Sequence, residues 1–197
     1  MRSGRPSYTL FELLLVLAVL VILAALAYPS LSKARGGYAL REAVDQVRTA
    51  WAEARTHAVN EGQPYRFAVV PGQGNFRIAP DAAAYWSGGD LPPVNDPSNR
   101  PLVHEGALPR GIRFNLDGTG APPGGDTSQS PDKVDPSSYT TVVTFLPDGT
   151  AQTPAGGVDN EDVVVITLRV AGVRPMQLKL RTLTGAVTVR PVEEGRP

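Results

Sequence analysis

From Leu13 to Ser32 the chain carries no charge, and the surrounding stretch 8–32, YTLFELLLVLAVLVILAALAYPSLS, contains a single carboxylate, Glu12. A bilayer span needs about 20 predominantly apolar residues, so this stretch reads as a membrane-crossing helix. Pro29 lacks an N–H and crowds the carbonyl of Ala25, which predicts a kink. Gly36-Gly37 predicts a second weak point. Beyond it the apolar residues Leu40, Val44, Val47, Trp51, Ala54 and Ala58 recur at helical spacing, while Arg41, Glu42, Asp45, Gln46, Arg48 and Glu53 fill the other faces. Gly62 followed by Pro64 is a stop signal. On this stripe Trp51 reads as a core residue, and His57, one position before Ala58, as a surface or boundary residue.

After the helix the apolar period changes to two. Residues 64–70 (PYRFAVV) and 75–79 (NFRIA) flank Pro71-Gly72-Gln73-Gly74 and read as a hairpin. Further strands are expected at 111–116, 140–146, 163–170, 176–183 and 186–189, with Thr184-Gly185 as the last turn. The layout is α+β: a long N-terminal helix, transmembrane then amphipathic, packed on a mostly antiparallel β-sheet. Two stretches interrupt it, 87–101 and 118–138, both dense in Gly, Pro, Ser and Asp and therefore loops. They read as insertions, with Tyr85 and Trp86 anchoring the first of them to the sheet.

The 197 residues carry 19 basic and 19 acidic side chains and no cysteine. That length holds one anchored domain with a sizeable core. Balanced charge gives no global pull toward nucleic acid, and the fold has to stand without disulfides. No nucleophile–base signature is present, and the two histidines, His57 and His104, lack metal-ligand spacing. Asp126, Asp132, Asp135, Asp159, Glu161 and Asp162 match no EF-hand loop and read as solvated surface. The expectation is a non-enzyme with no cofactor and no metal.

Glu12 is the anomaly, because a carboxylate at the mouth of an apolar span is costly and asks for a partner. It stands four residues after Tyr8, behind a short basic leader, MRSGRPS. Here the small-residue junction precedes the apolar run, whereas a secretory signal places it after. Tyr8, Thr9, Leu10, Glu12 and Leu13, followed by the apolar stretch and Pro29, resemble the type III signal of the type IV pilin and pseudopilin superfamily. The family has Gly before the cut where this chain has Ser7, and Phe after it where this chain has Tyr8. The resemblance implies cleavage by a prepilin peptidase between Ser7 and Tyr8, and N-methylation of Tyr8. It also implies that Glu12 pairs with the N-terminal amine of a neighbouring subunit, which neutralises two charges in low dielectric and sets the register of assembly.

Three later segments narrow the resemblance to the GspH/FimT branch of pseudopilins: the helix end AEARTHAVNEGQPYRFAVV, the turn FLPDGT at 145–150, and TLTGAVTV at 182–189. The implied organisation is a leader at 1–7, a transmembrane part at 8–32, a periplasmic part of the helix at 33–62 and a β-rich periplasmic domain at 63–197. Arg2 and Arg5 put the N-terminus on the cytoplasmic side of the inner membrane by the positive-inside rule. The implied role is a minor pseudopilin of a type II secretion system, assembled in a periplasmic pseudopilus and supporting protein export. Its partners would be other pseudopilins or pilins met through the N-terminal helix, the prepilin peptidase and the inner membrane. The alternative is a minor type IV pilin serving pilus assembly or DNA uptake. Lys179, Arg181 and Arg190 are a candidate basic strip, but Glu193 and Glu194 adjoin it. Gly185-Ala186-Val187 also stands where DNA-binding relatives have a basic Gly-Arg-x-Arg tail. DNA is therefore not expected as a partner.

Overall fold

The structure, a computed structural model, describes residues 10–88, 91, 93, 100–116, 134–154 and 163–192, and of residues 26–35, 163 and 164 the backbone alone. One helix, α1 (Leu10–Glu61), spans 52 residues, about 78 Å at 1.5 Å per residue. The weak point expected at Gly36-Gly37 does not break it. A Cβ on Gly36 would lie 2.9 Å from Val173 Cγ2, so the glycine serves close approach of a turn to the helix. The helix runs through it despite a helix-propensity penalty of about 1 kcal/mol for glycine.

Among the described residues nine strands follow: β1 (Tyr65–Val69), β2 (Asn75–Pro80), β3 (His104–Ala107), β4 (Arg113–Asn115), β5 (Thr140–Phe145), β6 (Ala151–Gln152), β7 (Val163–Arg169), β8 (Met176–Arg181) and β9 (Val187–Pro191). The α+β class is as expected, but the strands form two sheets where the period-two reading had one. The first runs β3-β2-β1-β5-β6 and the second β4-β7-β8-β9, and their pairings are antiparallel. Backbone bonds join the two sheets at two places. At one, Phe114 N–H donates to Gln73 O (2.8 Å) and Gly72 N–H to Phe114 O (3.0 Å); at the other, Ala151 N–H donates to Thr182 O (2.9 Å). β3 and β6 were not anticipated. HEGA and AQ are too short and too poor in β-branched residues to announce themselves; pairing with β2 and β5 makes them strands.

The second half of α1 lies over both sheets. Leu40, Ala43, Val44, Val47, Ala50, Trp51, Ala54 and Ala58 are buried, which is the expected stripe widened by two alanines that let the sheets come close. Phe67, Ile78 and Phe145 reach them from the first sheet, and Phe114, Ile166, Leu178 and Leu180 from the second, in one cluster. Trp51 sits at its centre, edge-on to Phe67 with ring centroids 5.9 Å apart.

The helix stops at a polar hub. Glu61 accepts from Tyr65 Oη (2.6 Å) and Gln63 Nε2 (2.7 Å), and its other oxygen meets His57 Nδ1 at 2.7 Å. Leu102 N–H donates to the same tyrosine oxygen at 2.9 Å, which ties the segment before β3 to the helix end. Burial alone would push the Glu61 carboxyl up, but hydrogen bonds from Tyr65, His57 and Gln63 outweigh it and hold the group below its ordinary value. Burial and the Glu61 carboxylate together push the Tyr65 phenol up. His57 is thus the boundary residue its position implied.

On the far side of the first sheet, Trp86 donates through Nε1 to Pro80 O (2.9 Å) and lies beneath the guanidinium groups of Arg66 and Arg77. Its role as an anchor to the sheet is as expected. Of the loop at 87–101 little lies within the described residues. Of that at 118–138 only the end does, a 3₁₀ turn at Pro136–Ser138 whose cap is the Asp135 side chain.

Candidate assembly surface

Every large apolar side chain from Leu10 to Leu23 is exposed, on all sides of α1, with Leu10 at 81% and Leu23 still at 57%. Fully burying one such side chain is worth roughly 1.5–3 kcal/mol, so a continuous cylinder of them marks a surface made to be covered. Among the described residues no helix is long and apolar enough to cross a membrane. Glu12 is exposed in the first turn of the helix, where the helix dipole favours a carboxylate. Ser7 and Tyr8, the expected cleavage and methylation positions, lie outside the described residues.

The three segments that narrowed the resemblance meet at one residue that sequence reasoning did not single out. Arg55, on the face of α1 beside Trp51 and Ala54, donates from Nε to Gly149 O at 2.9 Å. Gly149 and Gly185 take φ of +82° and +68° in the β5–β6 and β8–β9 turns, conformations that favour glycine. A Cβ on Gly149 would lie 3.4 Å from Arg55 Nη2, and one on Gly185 would collide with the guanidinium. Asp148 braces the first turn by accepting from Thr150 Oγ1 (2.7 Å) and Thr150 N–H (2.8 Å). Those two bonds hold its carboxyl below the ordinary aspartate range. The Asp-Gly and Thr-Gly turns are therefore the walls of a socket, and the helix plugs it with one arginine. The signal was present in the AEAR segment, but only tertiary contact shows which of its residues is the plug.

Gly185→Ala is expected to destabilise the domain more than Gly172→Ala, since a Cβ at Gly172 meets open space; both have positive φ, which isolates the collision with Arg55. Chemical denaturation of the two variants measures it. Equal losses would remove the socket as an explanation.

Lys179, Arg181 and Arg190 do share one face, as the strand period required. Registers Val165↔Lys179↔Thr188 and Thr167↔Gln177↔Arg190 place them on the outer side of the second sheet. Arg169 and Arg113, directly opposite one another, lie on the same side. The cationic surface is thus broader than the strip read from the sequence. Glu193 and Glu194 lie outside the described residues.

Among the described residues no group of three or more His, Asp and Glu is placed to hold a metal. His104 Nδ1 meets Glu53 Oε2 at 3.0 Å, and Glu53 stands about one helical turn before His57. Of the acidic residues considered for calcium, Asp135 is engaged by Ser137, and the others lie outside the described residues.

These features define a class: a long helix, bare and apolar at one end and buried at the other in an antiparallel α+β domain. Among solved structures the chain is similar to two of the minor pseudopilin EpsH from the type II secretion system of Vibrio cholerae. One is 11% identical, covers 80% of this chain and 98% of that one, and has a TM-score of 0.42. The other is 15% identical, covers 79% and 96%, and has a TM-score of 0.43. No family model and no curated protein matches the chain.

Proposed function

We propose that the chain is a minor pseudopilin of a type II secretion system, a non-catalytic assembly subunit. It is held in the inner membrane by residues 8–32, with its N-terminus cytoplasmic and its β-rich domain periplasmic. The observation that carries the reading is the division of α1. Its first half is apolar and uncovered around Glu12, and its second half is the spine of a folded domain. A membrane covers such a helix before assembly and neighbouring helices cover it afterwards. In the assembled state the Glu12 carboxylate meets a neighbour's α-amine on Tyr8, the charge partner that a carboxylate in a low-dielectric surround needs. The absence of cysteine leans away from adhesive pilins, which often carry a C-terminal disulfide loop. The Gly185-Ala186-Val187 sequence leans away from DNA-binding relatives.

Processing tests the reading. Co-expression with an active prepilin peptidase should remove the first seven residues and add a methyl group at Tyr8, both visible in the intact mass. Ser7→Gly should speed the cut by restoring the family's residue. A mass left unchanged by active peptidase would refute the assignment.

A further inference from the structure

We propose that one end of the folded domain, built by the β7–β8 turn and the segment before β4, seats on the anionic phospholipid headgroups of the bilayer that holds α1. The seat rests on the membrane-anchored reading and adds an electrostatic contact to the apolar one.

Helix continuity sets the height of this end. Residues 13–32 make about 30 Å of helix at 1.5 Å per residue, the thickness of a hydrocarbon core. From there α1 runs unbroken into the domain. Gly36 lies about 6 Å beyond Ser32, and at Gly36 the helix touches Val173 of the β7–β8 turn. A headgroup layer is about 5–8 Å deep. The turn therefore stands at the level of the headgroups.

The residues at this end suit that level. Ala171 and Gly172 form an exposed, uncharged tip, with Arg169 and Arg174 on either side of it. The segment before β4 arrives at the same place, since a Cβ on Gly111 would lie 3.9 Å from Val170 Cγ2, and it carries the exposed Arg110. Arg113 and Arg169 are directly opposite one another, an arrangement that like-charge repulsion disfavours and a phosphate between them relieves. Arg190 is exposed one residue before Pro191, the partner of Met176. Neither 108–116 nor 163–192 contains an Asp or Glu. On α1 the first acidic residue after the uncharged run is Glu42, about 15 Å beyond Ser32, whereas Lys33, Arg35 and Arg41 come before it.

The neighbouring carboxylates do not reverse the sign. Val192 N–H donates to Pro175 O at 2.9 Å, so the chain's last residues leave from this end. Glu193 and Glu194 there, and Asp117 after β4, adjoin it outside the described residues. Against these three stand Arg110, Arg113, Arg169, Arg174 and Arg190, with Arg196 in the tail. Asp159, Glu161 and Asp162 precede Val163, at the other end of β7. Each cation beside an anionic bilayer strengthens attachment roughly fivefold. The seat fixes which end of the domain faces the bilayer, and it is given up when α1 leaves the membrane.

Depth-dependent quenching tests the seat. The full-length chain has no native cysteine; carrying Ala171→Cys with a small fluorophore, it is reconstituted in nanodiscs whose headgroups bear nitroxide. Quenching should be strong in phosphatidylcholine mixed with phosphatidylglycerol and weak in phosphatidylcholine alone. A label at Leu183→Cys should be quenched in neither, because the β8–β9 turn packs at Arg55, about 28 Å further along α1 than Gly36. Arg110→Glu with Arg174→Glu should move the seated state at least about 25-fold toward release and lower quenching in the mixed discs to the zwitterionic level. Arg110→Lys with Arg174→Lys should keep it, Glu193→Gln with Glu194→Gln should increase it, and high salt should weaken it. Quenching that is equal in the two lipids, or indifferent to the charge reversal, would overturn the seat. Co-elution with the discs but no lipid-dependent quenching sinks the seat alone and leaves the membrane-anchored reading standing. A chain that does not co-elute with the discs removes both.

Discussion

A chain shortened to begin at Arg35 is expected to be soluble and folded in water, while the full-length chain requires detergent or membrane. The shortened form loses the whole exposed apolar cylinder from Leu10 to Leu23. At roughly 1.5–3 kcal/mol for each large side chain given cover, that cylinder dominates the behaviour of the intact chain. It keeps Gly36, whose close approach to Val173 seats the helix on the β7–β8 turn, and it keeps Leu40, Ala43 and Val44 in the core. A start at Val47 removes these and should yield a destabilised domain. Circular dichroism of the Arg35 form should show helix and sheet together, with a cooperative thermal transition. Accumulation only as insoluble material that cannot be refolded would mean that the buried stripe depends on partner subunits.

Trp51→Ala should cost that domain about 3–5 kcal/mol, the range for emptying a large aromatic site in a core. Trp51 is 1% exposed and stands where α1 crosses the first sheet, against Phe67. Its Nε1 is buried without a hydrogen-bond partner. Trp51→Phe therefore removes an unsatisfied donor as well as volume, and it should cost clearly less than Trp51→Ala. Urea denaturation of the Arg35 form and the two variants reads both values. A loss below about 1 kcal/mol for the alanine variant would show that the site collapses freely and that the core is not organised around this ring.

The residues that announced themselves were those whose reason is local. The helical stripe from Leu40 to Ala58, the stop at Gly62 and Pro64, and seven of the strands follow from periodicities of 3.6 and 2, which are properties of the backbone itself. Glu12 stood out for the same kind of reason, as one carboxylate in an uncharged run. The strands that did not announce themselves, β3 and β6, are formed by pairing with a neighbour distant in sequence, and no local period records that. Gly36 shows the limit most plainly. By propensity it weakens a helix, and in the fold it marks where a turn has to come close.

The sequence by itself therefore determined the α+β class, the division of the long helix into an apolar half and an amphipathic half, and the N-terminal motif. Each of these is written in neighbouring residues and needs no distant partner. Only the tertiary structure decided that the strands split into two sheets. It alone brought Arg55 between the turns at Gly149 and Gly185. Those arrangements depend on contacts between residues about thirty to well over a hundred positions apart, whose geometry is set by packing and by the hydrogen bonds that packing permits.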